Sequence, residues 1–317
     1  MTKNLQIQKP LPAPKIIVDK LSQILTQFSP KEFIEVVQNS TECFCEEIKG
    51  SGIWTPYRLR LLHDCDNLAP IERLDIVIIG IFSAAREQKL EHITLNQICR
   101  ALSGDSGRAR DMTALKNQIT NSIRKLRSLE ITVDATEAYQ KLGYKMDKAT
   151  LTDVLLPCAI VKFIKINGQN TTAFKIHDES PLMKVAEAKK QIARISKEAW
   201  NVPLNHTLRA IKIECELLYA VQTIVRAKKI KPNILLSRLY AAAGLSDLTD
   251  GMDNNQCVQI FKARQKVRTT IETILNHWKG QGMFAQWYFT MVNSQGRVVR
   301  HRGKNKVHGI SIISQEP

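Results

Sequence analysis

The sequence lacks the long apolar runs and the cysteine framework that would place it in a membrane or outside the cell. No run approaches the eighteen apolar residues that a membrane-spanning helix needs, and the apolar stretch Leu74 to Phe82 has the length of a buried helix. The N-terminal residues are polar and rich in Pro, without the apolar region of a secretory signal. Seven scattered Cys residues make an odd number. We therefore expect a protein of the reducing cytoplasm, with no membrane partner.

Acidic residues are few relative to basic ones. The chain of 317 residues has 46 Lys and Arg against 30 Asp and Glu, a formal charge of +16. Residues 204–317 hold 17 basic and 7 acidic side chains, whereas the 8 basic and 8 acidic side chains of residues 1–70 cancel. Between Asn254 and His308 there are ten basic residues and one acid, Glu272. Such single-sign charge predicts a polyanionic partner, which we interpret as nucleic acid.

Several catalytic signatures are also missing. The sequence has no P-loop, no Rossmann glycine fingerprint and no two His residues two positions apart, the last being the motif of rolling-circle nickases. His206 to Arg209 matches the H-x-L-R box of tyrosine recombinases, with Tyr219 and Tyr240 as candidate nucleophiles. The second upstream arginine and a further basic or aromatic partner are not found in a matching context. We expect no enzyme and no cofactor, and keep a recombinase-like strand-exchange enzyme as an alternative.

A zinc site is the second alternative that the residues raise. Its candidate ligands are Cys43, Cys45, His63 and Cys65. The C-x-C and H-x-C spacings differ from the usual zinc pairs, and in the predicted helix Cys43 and Cys45 would point to different faces. We interpret the three cysteines as buried free thiols, and we expect no metal at these residues. The other cysteines are predicted to lie in the core, and they are Cys99, Cys158, Cys215 and Cys257.

One order of elements occurs twice: helix, helix, Gly-containing turn, helix and β-hairpin. In the first copy we predict helices at 73–88, 95–102 and 111–129, and strands at 158–166 and 171–177 around the turn Asn167-Gly168. In the second copy we predict helices at 208–228, 232–243 and 254–279, strands at 284–293 and 297 onward, and an added strand at 307–313. This order is typical of a winged helix-turn-helix.

The expected fold class is α+β, mostly helical, with two tandem winged helix-turn-helix domains and an N-terminal helical extension. The predicted parts are a disordered Pro-rich arm at 1–15, the extension at 16–70, a first domain at 71–178, a linker helix at 179–203 and a basic second domain at 204–317. Within the extension, Ser29, Pro30 and Glu32 predict the start of a capped helix.

The third helix of the first copy has one apolar and one polar face. The apolar stripe is Leu115, Ile119, Ile123 and Leu126. The opposite face carries Asn117, Asn121 and Arg124. Asn pairs with adenine and Arg with guanine in the major groove, so DNA contact is predicted beside the alternative of an ordinary polar surface.

The third helix of the second copy is more basic. Its apolar stripe is Ile260, Val267, Ile271, Ile274 and Trp278, and its opposite face carries Gln259, Lys262, Lys266 and Thr269. Arg264 and Arg268 flank the stripe and are expected at its margin, on phosphates or acids. All six polar residues are candidate DNA-binding residues.

The hairpin that follows is predicted to lie along the phosphate backbone through five basic residues. They are Arg297, Arg300, Arg302, Lys304 and Lys306. A basic tail without defined contacts is the alternative. Base stacking by Trp287, Tyr288 and Phe289 is weakly supported, because alternate residues of a strand face opposite sides and at least one should be core.

The pattern over residues 71–313 resembles bacterial plasmid replication initiators of the iteron-binding type. The resemblance rests on the element order and on the segments LDIVIIGIFSAA (74–85), ITLNQICRAL (93–102) and FKARQKVRTTIETIL (261–275). It implies binding to repeated origin sites, mainly through the second copy, with the first copy serving dimerisation or further DNA contact. It also implies recruitment of host replication proteins and no nucleotide hydrolysis. Residues 1–70 and the insertion 131–157 depart from this pattern.

The expected function is therefore sequence-specific binding of double-stranded DNA in plasmid replication initiation, by a cytoplasmic, plasmid-associated protein that can form a homodimer. A winged-helix transcriptional regulator and a protein scaffold built of winged helices remain alternatives. A regulator would differ only in what it recruits, and a scaffold would bind DNA weakly.

Overall fold

The computed structural model describes residues 11, 14–38, 44–47, 54–62, 69–104, 112–164, 170–226, 233–245, 253–292 and 307–314. The chain divides into two compact units. The first comprises Met1–Leu102 and Met112–Ile195, and the second comprises Ser103–Asp111 and Ser196–Pro317. Both contain helices and small antiparallel sheets, so the fold is α+β. Among the described residues, no helix has the length and apolar character required to cross a membrane.

Two short helices and one short strand begin the first unit. The strand β1 is Lys15–Ile17, and the helices are α1, Lys20–Leu25, and α2, Pro30–Gln38. The predicted capping box of α2 is confirmed, because the Ser29 amide donates to Glu32 Oε2 at 2.8 Å and the Glu32 amide donates to Ser29 Oγ at 3.3 Å.

The interpretation of residues 1–15 as a disordered arm is wrong for the described part, and residues 1–10 and 12–13 lie outside it. Leu11 is buried and Lys15–Ile17 forms β1, although residues 16–70 were predicted as a helical extension. The strand pairs with β9, Ile192–Arg194, and lies on helix α3, Arg73–Glu87. Long-range pairing and burial therefore decide the conformation of this segment.

The segment 16–70 is not purely helical. It contains the strands β2, Phe44–Glu47, and β3, Trp54–Leu61, which form a sheet in the order β2-β3-β5-β6 with β5, Leu129–Asp134, and β6, Thr150–Val154. Tyr57 and Leu59 are buried whereas Arg60 is exposed, the alternation of a half-buried strand. The insertion 131–157 therefore supplies strands to this sheet, together with the helix α6, Thr136–Lys141.

The rest of the first unit has helices close to their predicted places. Almost every residue of α3 is buried, and it is followed by β4, His92–Thr94, then α4, Leu95–Ser103, and α5, Met112–Ser128. The strands β7, Cys158–Ile164, and β8, Asn170–Ile176, form the hairpin. The strand order is β4-β8-β7, so the short strand after the first helix pairs with the last strand.

The predicted linker helix 179–203 is shorter than expected. Helix α7 spans Pro181–Ala188 and ends where Lys190 adopts φ 56°, a left-handed conformation that a continuing α-helix does not allow. The chain then forms β9 and a short 3₁₀-helix, Lys197–Trp200.

The second unit repeats the element order of the first. Helix α8, Leu208–Arg226, is followed by β10, Ile234–Leu235, then α9, Leu236–Ala242, α10, Asn254–Gly280, β11, Gln286–Val292, and β12, Val307–Ile313. The strand order is β10-β12-β11, so again the short strand after the first helix pairs with the last strand. The two units thus share the strand connectivity as well as the element order, a relationship that the sequence pattern had predicted only for the order.

Charged side chains are buried at defined points of the first unit. Asp75 in α3 is fully buried, and its Oδ2 lies 2.5 Å from the ammonium of Lys125 in α5. The same ammonium donates to the Pro70 carbonyl at 2.8 Å. This pair ties the start of α3 to α5, and removing either partner would leave the other charge buried without compensation.

Lys15 is buried as well, and its ammonium meets two carboxylates. It lies 2.6 Å from Glu87 and 2.7 Å from Glu187, and it also donates to Ser83 at 3.2 Å. The backbone of β1 can approach α3 this closely because residue 80 is glycine, where a Cβ would stand 1.8 Å from the Lys15 carbonyl oxygen.

The second unit buries a carboxyl group among apolar residues. Glu214 in α8 is fully buried, and neither of its oxygens has a hydrogen-bond partner in the part of the chain that the structure describes. This desolvation raises the pKa of Glu214 well above its ordinary value.

We expect Gly80→Ala to destabilise the first unit by at least about 1–3 kcal/mol, because the new methyl group collides with backbone atoms of β1 that cannot rotate away. Thermal and urea unfolding would measure the loss. Gly280→Ala is the control, since a Cβ there meets nothing within 4 Å. Equal effects of the two substitutions would contradict the close approach of β1 to α3.

We expect Glu214→Gln to stabilise the second unit increasingly as the pH rises. In the unfolded chain Glu214 ionises above its ordinary pKa, whereas burial keeps it protonated in the folded protein, so its burial costs stability as the pH rises toward the folded-state pKa. The advantage of the variant should grow by at most about 1.4 kcal/mol per pH unit above the ordinary pKa of a glutamic acid, until the pH reaches the folded-state pKa. Urea unfolding at pH 4.5 provides the reference, and an advantage independent of pH would contradict the raised pKa.

Candidate nucleic-acid interface

Helix α10 is buried along its C-terminal half only. Its buried residues are Val267, Ile271, Ile274, Leu275 and Trp278. No residue of the helix before Val267 is buried, although Ile260 was predicted in the buried stripe and is half-buried. Most of the first three turns of the helix are in contact with solvent. The buried stripe therefore begins after Ile260, at Val267.

Two local features hold α10 in place. The Trp278 indole donates to the Ala199 carbonyl at 2.8 Å, which fixes the buried half. At the other end, the Asp253 side chain accepts from the Gln256 amide at 2.7 Å, and the Gln256 side chain accepts in return from the Asp253 amide at 3.2 Å. This capping box stabilises the first turn of a helix half that has little tertiary packing.

The polar face predicted on α10 is exposed. Gln259, Lys262, Lys266 and Thr269 all lie at the surface. The helix carries no acidic residue between Asn254 and Ile271, so the positive charge of this face is not offset within the helix. The Thr269 hydroxyl donates to the Gln265 carbonyl at 3.2 Å, which orients this side chain along the helix surface.

The two arginines beside the stripe contact an aromatic residue of α9. Arg268 Nε donates to the Tyr240 hydroxyl at 2.8 Å, and the Arg264 guanidinium carbon lies 4.9 Å from the Tyr240 ring centroid. Both arginines are half-buried. They lie at the margin of the buried stripe, as expected, but against an aromatic ring, so they position α10 on α9.

The polar face of α5 is exposed too. Asn117, Asn121 and Arg124 lie at the surface, opposite a stripe that is completely buried and comprises Leu115, Ile119, Ile123 and Leu126. Sequence reasoning missed the role of Lys125, next to Arg124, because its partner Asp75 lies 50 residues earlier. The signal available was Asp75 itself, an acid within an otherwise apolar helix start.

Two apolar side chains on α10 were also missed. Val258 is 48% exposed and Phe261 is 60% exposed, although their neighbours in this half of the helix are mostly polar. From periodicity alone, such residues are assigned to an apolar, buried stripe. The structure shows that no described residue covers them.

The basic residues predicted to contact phosphates lie outside the described residues. Strands β11 and β12 flank them, and the set comprises Arg297, Arg300, Arg302, Lys304 and Lys306. Their role stays a prediction. On β11, none of Trp287, Tyr288 and Phe289 is buried, which contradicts the expectation that at least one is core. Trp287 donates to Asn276 of α10 at 3.1 Å and packs edge-on against Phe289 at 5.3 Å. These two side chains therefore lie on the face of the sheet that turns toward α10.

The candidate zinc ligands cannot be placed together. Cys43, His63 and Cys65 lie outside the described residues, and Cys45 belongs to strand β2, whereas a helix was predicted there. Among the residues that the structure describes, no group of three or more His, Cys, Asp or Glu could hold a metal ion.

The other four cysteines are free thiols. Three of them, Cys99, Cys158 and Cys215, are buried as predicted, whereas Cys257 is half-buried. Burial raises the pKa of Cys99 to about 11 and that of Cys158 to about 12.

The residues of the recombinase alternative occupy different environments. Tyr219 and Tyr240 are buried at 7% and 5% exposure, and His206 is buried at 3%. Desolvation lowers the pKa of His206, which favours the neutral form of its ring. Arg209 is exposed. The candidate nucleophiles are thus enclosed, while the arginine lies at the surface.

Comparisons with known proteins give no family. No protein-family model matches the chain, and no curated protein matches it. A crystal structure of selenomethionine derivatives of domains 2 and 3 of RctB is similar over 93% of this chain and 96% of that chain, with 12% identity and a TM-score of 0.35. A likeness at this TM-score carries no argument about this chain.

We expect Tyr240→Phe to destabilise the second unit by about 1 kcal/mol, because Arg268 loses the acceptor of its Nε hydrogen bond. The ring that Arg264 covers is retained in this variant, so the loss reports the hydroxyl alone. Urea unfolding would measure it, and Tyr288→Phe on the exposed part of β11 is the matched control. An unchanged stability of Tyr240→Phe would contradict the positioning role of Arg268.

Proposed function

We propose that this protein binds double-stranded DNA sequence-specifically, through two winged-helix units, and initiates replication at repeated sites. The observation that carries the proposal is the N-terminal half of α10, which stands in solvent, holds Lys262 and Lys266 and has no acid. A helix with these properties fits the major groove of DNA, which admits an α-helix and is bordered by phosphates.

The shared strand connectivity supports the winged-helix assignment. In each unit a short strand after the first helix pairs with the last strand of a hairpin. In this arrangement the third helix, α5 or α10, acts as the recognition helix and the hairpin acts as the wing. The exposed faces of α5 and α10 then contribute base contacts through Asn117, Asn121, Arg124 and Gln259.

The remaining parts of the proposal rest on the resemblance described from the sequence. Plasmid replication initiation, homodimerisation and recruitment of host replication proteins follow from the likeness to iteron-binding initiators, in which the second, more basic unit dominates DNA binding. We propose that Arg297, Arg300, Arg302, Lys304 and Lys306 contact phosphates, and that the protein has no catalytic activity of its own.

The test is selection of bound duplexes from a random DNA pool by the full chain, followed by titration at several salt concentrations. A long motif with two major-groove contact regions supports the proposal, and its occurrence as direct repeats beside the gene of this protein supports initiation. Binding without sequence preference would reject sequence-specific recognition, and the initiator assignment with it.

We expect Lys262→Ala combined with Lys266→Ala to weaken binding to the selected duplex and to lower the salt dependence of log Kd by about one to two units, because each lysine that neutralises a phosphate releases a counterion. Lys279→Ala is the matched control, since Lys279 is an exposed lysine at the other end of the same helix. If Lys279→Ala has half the effect of the double variant, the effect per lysine is the same, and charge alone, not this face, governs binding.

A further inference from the structure

The exposed half of α10 holds two large apolar side chains that its tertiary structure does not explain. Phe261 is 60% exposed and Val258 is 48% exposed, in a helix segment whose other surface residues are polar or basic. Residues three apart are neighbours on a helix surface, so the two form one small patch.

Val258 lies near the middle of the face opposite the buried stripe, and Phe261 lies at one edge of that face. At about 100° per residue, Val258, Lys262 and Thr269 project within about 40° of one another, and Phe261 projects about 60° from Val258. Phe261 is roughly a quarter turn from the middle of the buried stripe. Measured from the middle of the face opposite the stripe, Phe261 lies about 80° to one side and Lys266 about 60° to the other, with Val258 and Lys262 near the middle. A groove that encloses this face therefore meets Phe261 at one wall and Lys266 at the other.

The composition around the patch favours DNA over a protein partner. The core of a protein–protein interface is poor in charged residues, and in lysine above all. Here Lys262 lies one turn from Val258 and Gln265 lies one turn from Phe261, and the helix has no acid before Glu272. The negative charges of a polyanion pair with the lysines, and the apolar pair then faces the interior of that polyanion.

The major groove offers one apolar group to such a pair. Among the four bases, thymine presents a methyl group at C5, whereas the other base edges present hydrogen-bond donors and acceptors. We propose that Phe261, supported by Val258, recognises thymine by contact with this methyl group, and that it determines specificity at one or two positions of the DNA site. This inference rests on the proposed DNA-binding function.

The test removes the methyl group alone. In the duplex selected by the full chain, each thymine is replaced in turn by deoxyuridine, which keeps the base pair and loses the methyl. Wild type is expected to bind about fourfold more weakly at one or two positions, the factor for burying one methyl group. Phe261→Ala is expected to lose affinity for the thymine duplex and to become insensitive to uracil at one of those positions.

Tyr288→Ala is the matched control, because Tyr288 is an exposed aromatic residue of the same unit outside α10. It is expected to keep the uracil sensitivity of wild type. Phe261 is largely exposed, so its replacement by the better helix former alanine leaves the fold intact, and circular dichroism checks this.

The outcomes are distinguishable. A selected duplex that wild type binds equally well with every thymine replaced overturns the thymine contact, while DNA binding itself stands. Sensitivity that persists unchanged in Phe261→Ala overturns the assignment to this residue. A change from dimer to monomer in sedimentation of Phe261→Ala, with uracil sensitivity retained, places a second copy of the chain on the patch. Failure to recover any specific duplex rejects the proposed function and this inference together.

Discussion

The packing of α10 begins at Val267, and the rest of the second unit's surface chemistry depends on that boundary. Beyond it, a run of apolar residues and the Trp278 indole anchor the helix to its own unit. Before it, the helix is held by the Asp253 capping box, by the contact of Arg264 with Tyr240 and by the continuation of the helix itself. Because the helix is rigid, side chains several turns from the anchor are held in a fixed register without packing of their own. That combination allows a polar, basic surface to be exposed and ordered at once.

The two units reach the same connectivity through different polar contacts. In the first, the third helix is tied to the first by the buried pair of Asp75 and Lys125. In the second, the third helix is tied to the second by Arg264 and Arg268 against Tyr240. The apolar stripes set the approximate packing in both cases, and these directional contacts fix the rotation of each third helix about its axis. That rotation decides which residues face outward, so the polar contacts determine which residues the exposed faces present.

The sequence was informative wherever periodicity was local. The helices α3, α5, α8 and α10 were predicted close to their observed bounds, because each carries a continuous stripe of apolar residues. The strands β1 and β3 were missed, because they form by pairing with β9 and β5, which lie far along the chain. The exposed faces of α5 and α10 were predicted for the same reason as the helices. The contacts of Lys125, Arg264 and Arg268 were not predicted. A helical wheel describes one helix, and their partners lie on other helices.

Lys15 and its strand β1 belong to the interior of the first unit. Its ammonium bridges Glu87 at the end of α3 and Glu187 in α7, while its backbone lies against the bare helix surface at Gly80. A protein shortened to begin after Ile17 would therefore lose more than a flexible leader. It would expose the apolar surface of α3 that β1 covers, leave β9 without its strand partner and place two carboxylates near each other without their shared cation. Fusion partners and shortened versions of this protein need to preserve Leu11 and residues 14–17 for the first unit to fold as described.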